Sequence, residues 1–270
     1  MDQHNDIKPT GAVMVVGGGI GGIQASLDLA ESGFYVYLVE SSPSIGGVMP
    51  QLDKTFPTND CSMCILSPKL VECGRHLNIS TITEVLSVEG EAGDFDVTIR
   101  RHPRYIDVER CTGCGICAQR CPVTAVDTFN RGLIRRAAAY IDYHQAVPLA
   151  YAIDPQRCIG CGLCARVCPA SAVRYTEQPE EQTVHVGAVV LSPGYEVFNA
   201  RLKGEYGYGV YPNVVTSIEF ERMLSASGPF GGHLQRPLDK KELGRIAFIQ
   251  CVGSRDPSRG ILYCSSACCM

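Results

Sequence analysis

Several residue types and patterns are scarce or missing in this chain of 270 residues. It has no tryptophan, and its 24 Lys and Arg residues do not outnumber its 28 Asp and Glu residues, so the formal net charge is −4. This balance gives no electrostatic reason to expect nucleic acid as a partner. The longest apolar runs, such as AVMVV, have the length of strands, and the N-terminus lacks a charged-then-apolar signal pattern. We therefore expect a globular, cytoplasmic protein without a transmembrane segment.

Motifs of hydrolytic and mononuclear metal enzymes are also missing. The six histidines, at positions 4, 76, 102, 144, 185 and 233, do not follow the spacing of metal ligands. There is no Ser-His-Asp order, HExxH helix or paired-carboxylate motif. Cysteine, in contrast, is abundant, with 15 residues. In a chain without a signal peptide, this number indicates metal or redox chemistry rather than disulfides.

A glycine-rich motif lies near the N-terminus. Residues 12–40 are predicted to form a strand, a glycine turn, a helix and a second strand, and Gly17-x-Gly19-x-x-Gly22 lies at the turn. In this context the three glycines predict a dinucleotide site, with the pyrophosphate at the helix N-terminus and Glu40 accepting hydrogen bonds from a ribose. The fingerprint alone does not distinguish FAD from NAD. Because a flavin can convert hydride transfer into single-electron transfer, one-electron centres in the same chain would favour FAD.

Such centres are predicted by two copies of the pattern C-x2-C-x2-C-x3-C-P, CTGCGICAQRCP and CIGCGLCARVCP. In this pattern the fourth cysteine ligates the cluster of the other copy. The spacing therefore predicts two [4Fe–4S] clusters, one on Cys111, Cys114, Cys117 and Cys168, and one on Cys158, Cys161, Cys164 and Cys121. The alternatives are two zinc sites or free buried cysteines. Zinc ligands usually come as two separated pairs, which disfavours the first alternative.

The other seven cysteines form two groups. Four of them, Cys251, Cys264, Cys268 and Cys269, have the spacing C-x12-C-x3-C-C, which is compatible with a third cluster, with zinc or with a thiol-exchange pair. Cys61 and Cys64 form C-x2-C, with Cys73 nearby. This group is compatible with a thioredoxin-like redox pair, with ordinary buried cysteines or with ligands completed by another subunit. We expect no catalytic role for it.

The order of elements predicts an α/β fold with an insertion. Strands are expected within residues 79–100, at 184–192 and at 245–251, and a helix near 217–225. We expect a nucleotide-binding domain in two parts, residues 10–104 and 178–270, interrupted by a ferredoxin domain at residues 105–177. The spacer between the two cysteine motifs is expected to be a docking surface.

Taken together, four segments make the chain similar to a known family: GGGIGGIQASLDLA, TFPTNDCSMCILSPKLVE, the doubled motifs around YIDYHQAVP, and the terminal CVGSRD and YCSSACCM. The combination resembles the A subunit of heterodisulfide reductase. The resemblance implies a Rossmann-like, thioredoxin-reductase-like FAD fold with an inserted two-cluster ferredoxin. It also implies that Gly46 and Gly47 lie close to the flavin, that Gly194 belongs to a second flavin-side motif, and that the four terminal cysteines bind a third [4Fe–4S] cluster.

In that family the subunit works within a larger complex. The resemblance thus implies an oxidoreductase subunit that passes electrons between FAD and [4Fe–4S] clusters, with a hydrogenase or dehydrogenase as donor and a ferredoxin-like acceptor, and with electron bifurcation in some relatives. Since the family continues past the Cys268-Cys269 pair, an incomplete flavin fold is expected here. Two alternatives remain: a ferredoxin-type carrier or docking module without a functional flavin, and an NAD(P)H-dependent reductase resembling the small subunit of glutamate synthase. The absence of a second GxGxxG disfavours the latter.

Overall fold

The computed structural model describes residues 11–259 and 262–264 of the chain. The strands in this part are β1 (Ala12–Val16), β2 (Tyr35–Val39), β3 (Lys54–Thr55), β4 (Asp60–Cys61), β5 (Asn78–Ser80), β6 (Thr83–Glu91), β7 (Asp94–Arg101), β8 (Ala125–Val126), β9 (Arg135–Arg136), β10 (Ala139–Tyr140), β11 (Ala152–Ile153), β12 (Glu180–Val186) and β13 (Ala188–Leu191). The helices are α1 (Ile20–Glu31), α2 (Ser62–His76), α3 (Ile116–Arg120), α4 (Leu163–Val167) and α5 (Ser217–Leu224). Short 3-10 turns cover Met49–Gln51, Ala200–Leu202, Gly204–Tyr206 and Pro257–Arg259.

These elements form two compact units, of which the first ends at Gly194 and the second begins at Tyr195. The centre of the first unit is a parallel sheet with the strand order β13-β1-β2-β5. Strand β1 is flanked by parallel neighbours on both sides, and its sequence AVMVV is accordingly apolar throughout. The predicted strand, turn, helix and strand of residues 12–40 are confirmed.

Consecutive residues of β1 point to opposite faces of this sheet, as the pleat requires. On one face Val15 packs with Ile23 of α1 and Leu66 of α2. On the other face Met14 packs with Val97 and with residues of β12. That second face is covered by an antiparallel sheet with the strand order β12-β7-β6. The result is a three-layer α/β unit with helices, a parallel sheet and an antiparallel sheet.

The inserted segment between β7 and β12 has its own small core. Helices α3 and α4 pack together with β10 and β11, and their core includes Tyr151 and Ile153. The two ends of the segment pair with each other through an antiparallel bridge between Ile106 and Val173. Because its ends are adjacent, the segment can interrupt the α/β layers without separating β7 from β12. The predicted α/β fold with an inserted segment between its strands is thereby confirmed.

The spacer between the two cysteine motifs lies against the α/β layers. Tyr143 and Ala146 belong to the same core cluster as Val15, and Val147 forms an antiparallel bridge with Ile45. The buried guanidinium of Arg104 donates hydrogen bonds to the carbonyl of Ala150 at 3.1 Å and to the Thr81 hydroxyl at 2.7 Å. This part of the spacer therefore binds the inserted segment to the rest of its own unit, and is not free to serve as the docking surface expected from the sequence.

The second unit contains the predicted helix near residues 217–225, observed as α5. Its N-terminus carries a capping box, in which Thr216 accepts from the amide of Glu219 and the Glu219 carboxylate accepts from the amide of Thr216. The strand predicted at residues 245–251 is wrong, because this stretch has no regular secondary structure. Its apolar residues are exposed, with Phe248 at 72% and Ile249 at 57%. A strand requires a hydrogen-bonded neighbour, and no neighbouring strand lies beside this stretch in the described residues.

Candidate functional site

The glycine loop connects β1 with α1. Gly17 adopts φ +107°, and a Cβ at this position would lie 2.1 Å from the Ser192 carbonyl oxygen. A Cβ on Gly22 would lie 1.8 Å from the carbonyl oxygen of Gly17. These two glycines are therefore required by the packing of the turn itself, whatever it binds.

Gly19 differs, because nothing lies within 4 Å of the position that its Cβ would occupy. It is the N-cap of the 12-residue helix α1, and no side chain caps the helix. The first amide groups of α1 thus face open space in front of Gly19. An uncapped helix N-terminus beside a residue without a side chain suits the phosphates of a dinucleotide.

Glu40, at the end of β2, braces this loop. Its carboxylate accepts a hydrogen bond from the amide of Gly18 at 2.7 Å and another from the amide of Ser42 at 2.7 Å. The residue is only 8% exposed. The Ser41 hydroxyl also donates to the oxygen bonded by Ser42, at 3.3 Å. The oxygen bonded by Gly18 can accept one further hydrogen bond, so the predicted contact with a ribose is compatible with these bonds.

The other glycines that the resemblance assigns to the flavin lie around the same loop. The amide of Gly46 donates to the carbonyl of Gly18 at 2.7 Å, and a Cβ on Gly47 would approach the Cα of Gly19 to 2.9 Å. Gly194 follows β13, whose neighbour is β1, and adopts φ +76°, a conformation that favours glycine. All the predicted glycines therefore come from segments that meet at the carboxyl end of β1.

The cysteines of the two repeated motifs line two cavities. The first is lined by Cys111, Cys114, Cys117 and Cys168, together with apolar residues and Tyr151. The second is lined by Cys121, Cys158, Cys161 and Cys164, together with Tyr175. The structure thus brings together the two sets of cysteines that the crossover spacing predicts, three from one motif and the fourth from the other. Their assignment as cluster ligands stays a prediction.

The walls of both cavities suit thiolate-bound clusters. Both are mainly apolar, and desolvation raises the pKa of the buried Cys117 thiol to about 11, so this thiolate needs a positive centre beside it. Backbone amides donate to sulfur, from Gly160 to Cys158 and from Ala172 to Cys168, each at 3.4 Å. Such donors stabilise the negative charge of cluster ligands. In the described part of the chain, no three His, Cys, Asp or Glu side chains form a group that could hold a single metal ion.

Two tyrosines at these cavities were missed by the sequence analysis. The Tyr175 hydroxyl lies 2.8 Å from the sulfur of Cys164, and Tyr151 lies at the wall of the first cavity. Cysteine spacing carries no information about either contact.

The terminal cysteines are only partly described. Cys251 and Cys264 are half-buried, while Cys268 and Cys269 lie outside the described residues. Cys73 lies on the buried face of α2, in the core of the first unit. Desolvation there raises the pKa of its thiol to about 11. This residue matches the expectation of an ordinary buried cysteine.

No helix in the described ranges is long and apolar enough to span a membrane. Comparison with family models matches residues 107–172 to a 4Fe-4S dicluster domain and residues 12–58 to an FAD dependent oxidoreductase. These two segments contain the cysteine-lined cavities and the glycine loop. The two matches show that this chain contains an FAD-binding segment of the oxidoreductase type and a segment that binds [4Fe–4S] clusters.

Among curated relatives, the iron-sulfur A subunit of CoB–CoM heterodisulfide reductase from Methanocaldococcus jannaschii is 54% identical over 259 residues, which cover 95% of this chain and 39% of the relative. The A subunit of H(2)/formate:CoB-CoM heterodisulfide,ferredoxin reductase from Methanococcus maripaludis is also 54% identical, with the same two coverages. The chain spans about 40% of the length of these relatives. Over that part it is similar to heterodisulfide reductase A subunits. Among solved structures, T. acidophilum thioredoxin reductase matches 67% of this chain and 76% of its own, with 15% identity and a TM-score of 0.29.

Proposed function

We propose that this chain passes electrons between an FAD at the glycine loop and two [4Fe–4S] clusters in the inserted segment, within a heterodisulfide-reductase-like complex. The observation that carries the proposal is that both kinds of site lie in one compact unit and are joined by buried contacts. Tyr143 packs in the core beneath the glycine loop and donates a hydrogen bond to the carbonyl of Ile45, the residue before Gly46. The inserted segment is therefore held in a fixed position relative to the loop.

The FAD is held by residues with separate tasks. Gly17 and Gly22 allow the turn to close, and Gly19 leaves room for the pyrophosphate at the N-terminus of α1. Glu40 fixes the loop through Gly18 and accepts from the adenosine ribose. Gly46, Gly47 and Gly194 complete the rim toward the flavin. When bound, FAD supplies the conversion between two-electron and one-electron transfer.

The clusters are held by the eight cysteines in the crossed arrangement, one cluster in each cavity. The apolar walls shield the buried ligands Cys117 and Cys164 from water, and the amides directed at Cys158 and Cys168 stabilise the charge of the clusters. We extend the proposal to a third cluster on Cys251, Cys264, Cys268 and Cys269, which rests on their spacing and on the resemblance to heterodisulfide reductase A subunits.

The partners are proposed from the chemistry and from the names of the relatives. The relative from M. maripaludis is named for H2 or formate, a heterodisulfide and ferredoxin. We propose a hydrogenase or dehydrogenase as the electron donor, a ferredoxin-like acceptor, and other subunits of the complex as neighbours. Heterodisulfide reduction itself is assigned to another subunit.

The proposal is tested by rapid-mixing spectroscopy of the anaerobically purified chain. Dithionite-reduced ferredoxin is the electron donor, and the absorbances of flavin and clusters are followed separately. We expect flavin reduction to be slowed at least tenfold by Cys114→Ser, which removes a ligand from the first cavity. Equal rates in the parent and the variant would contradict a route through the clusters. Rapid flavin reduction by NAD(P)H alone would support the pyridine-nucleotide reductase instead, and absence of flavin from a chain with intact clusters would support the carrier.

The FAD site is tested separately with a matched pair of variants. A Cβ at Gly19 or at Gly21 meets no atom within 4 Å, so both Gly19→Ala and Gly21→Ala should fold. Only Gly19 is at the predicted position of close approach to the pyrophosphate. We therefore expect Gly19→Ala to weaken FAD binding at least tenfold while Gly21→Ala changes it less than twofold. Similar affinities in both variants would contradict this placement.

A further inference from the structure

The pair Cys61 and Cys64 has no part in the sites described so far. Strand β4 ends at Cys61, and α2 begins at the next residue, with Cys61 as its N-cap. The sulfur of Cys61 accepts a hydrogen bond from the amide of Cys64 at 3.3 Å. The two thiols therefore face each other across the first turn of the helix.

This geometry permits a disulfide between them. Residues three apart on a helical turn have Cβ atoms about 5–6 Å apart. A disulfide needs Cβ atoms roughly 3.5–4.5 Å apart, so the two Cβ atoms must approach each other by about 1–2 Å for the bond to close. Both thiols are free in the structure. Cys61 is half-buried and Cys64 is exposed, so both can be reached from solvent, whereas Cys73 on the same helix is fully buried.

The surroundings favour Cys61 as the attacking thiolate. The hydrogen bond with the Cys64 side chain lowers the pKa of Cys61, and the Cys64 amide and the charge of Lys54 lower it further. Lys54 is the residue paired with Cys61 in the β3–β4 hairpin. The same side-chain contact raises the pKa of Cys64. One thiol of the pair is thus activated while the other keeps its proton, which is the division of roles in a redox-active CxxC.

The start of α2 is also held firmly against the segment that follows Gly46 and Gly47. The Ser62 hydroxyl donates to the carbonyl of Leu52 at 2.6 Å, and the Ser62 amide donates to the carbonyl of Asp53 at 3.2 Å. Leu66, one turn further, is fully buried in the core. The pair is therefore presented at the surface on a rigid support.

We propose that Cys61 and Cys64 are a redox-active dithiol that reduces a disulfide of another molecule. The Cys61 thiolate attacks one sulfur of R–S–S–R′, which forms a Cys61–S–S–R bond and releases R′S⁻, and this leaving group takes up a proton. Cys64 then loses its proton and attacks the Cys61 sulfur, which closes the Cys61–Cys64 disulfide and releases RS⁻ as the second thiol. Two electrons and two protons thereby pass from the pair to the external disulfide.

The test uses the anaerobically purified chain with its cofactors, glutathione disulfide as the probe, and site-resolved peptide mass spectrometry after alkylation. We expect a Cys61–Cys64 disulfide in the parent. In Cys64→Ser we expect a stable mixed disulfide on Cys61, formed at least tenfold faster than the one on Cys64 in Cys61→Ser. Serine at position 61 is itself a good N-cap, so the latter variant should keep α2. Cys73 is the internal control and should stay unmodified.

Three outcomes would overturn the proposal. One is a parent in which the pair remains as two thiols at every ratio of oxidised to reduced glutathione. Another is equal reactivity of Cys61 and Cys64 in the two single variants, which would show that only exposure governs them. The third is loss of iron from Cys61→Ser or Cys64→Ser relative to the parent, which would identify the pair as cluster ligands. A lower iron content and a thiol–disulfide defect are measured independently, so this test does not depend on the proposed electron transfer.

Discussion

The contact between Tyr175 and Cys164 predicts how one cluster is tuned. The hydroxyl of Tyr175 lies 2.8 Å from the sulfur of Cys164, in the wall of the second cavity. Burial and the contact with Cys164 raise the pKa of Tyr175, so the phenol keeps its proton. With a cluster bound, Cys164 is a thiolate and the phenol donates to it. This bond stabilises the more negative, reduced cluster more than the oxidised one and raises its potential. Tyr175→Phe removes the bond and keeps the ring.

The size of the effect follows from the strength of such a bond. A hydrogen bond to a charged acceptor contributes about 1.5–3 kcal/mol. Both oxidation states keep the bond, so only the difference between them changes the potential. If one added electron strengthens the bond by about a third, the difference is about 0.5–1 kcal/mol, which corresponds to about 20–45 mV for a one-electron couple. We therefore expect the potential of this cluster to fall by that amount in Tyr175→Phe.

The assay is an electron paramagnetic resonance redox titration, in which the two clusters are followed as separate signals. Tyr151→Phe is the matched control, because Tyr151 lies in the wall of the first cavity and no hydrogen bond from it to a ligand sulfur is found among the described residues. The signal assigned to the Cys158, Cys161, Cys164 and Cys121 cluster should shift in Tyr175→Phe only. An unchanged potential, or an equal shift of both signals, would refute the reasoning.

Three further predictions concern the clusters, the spacer and the glycine loop. Cys168→Ser should remove the cluster of the first cavity and leave the electron paramagnetic resonance signal of the second cluster, the one that Tyr175→Phe shifts. Loss of the second cluster's signal instead would refute the crossed arrangement. Burial raises the pKa of Asp142 to about 6, so the folded state holds its proton more tightly than the unfolded state, and stability falls as the pH rises through about 4 to 6. Asp142→Asn should therefore raise the unfolding free energy near pH 7 by about 3 kcal/mol and have little effect at about pH 4. Chemical denaturation measures both values, and an equal effect at both pH values would contradict this. Gly22→Ala should destabilise the chain by about 3 kcal/mol or more, because its Cβ would overlap the Gly17 carbonyl. Gly21→Ala is the control and should leave the melting temperature almost unchanged. Equal melting temperatures of the two variants would contradict the close contact between Gly22 and Gly17.

The sequence was most informative where the determinants are contiguous. The β1-turn-α1-β2 unit depends on residues that are close together in the chain, and its glycines have mechanical roles that can be stated in advance. The first three cysteines of each motif are likewise close together in the chain, and the crossing of the fourth follows from the known rule for this repeat rather than from contiguity.

The parts that could not be predicted depend on contacts between distant segments. The continuous apolar run at residues 246–249 indicates strand propensity, but the pattern does not say whether a partner strand is present. The packing of Tyr143 in the core and the bonds of Arg104 to Ala150 and Thr81 join segments that are far apart in sequence. Tyr175 and Cys164 face each other only because α4 and the exit of the inserted segment fold together. No spacing rule contains these contacts.

The central claim, that one chain holds FAD beside two clusters, is tested most directly by counting cofactors. Flavin, iron, sulfide and zinc are measured in the anaerobically purified Cys251→Ser variant, which lacks one ligand of the proposed terminal site. We expect about one FAD and about eight irons with equal sulfide per chain, since each [4Fe–4S] cluster contains four irons. Zinc in place of iron, or clusters without flavin, would contradict it.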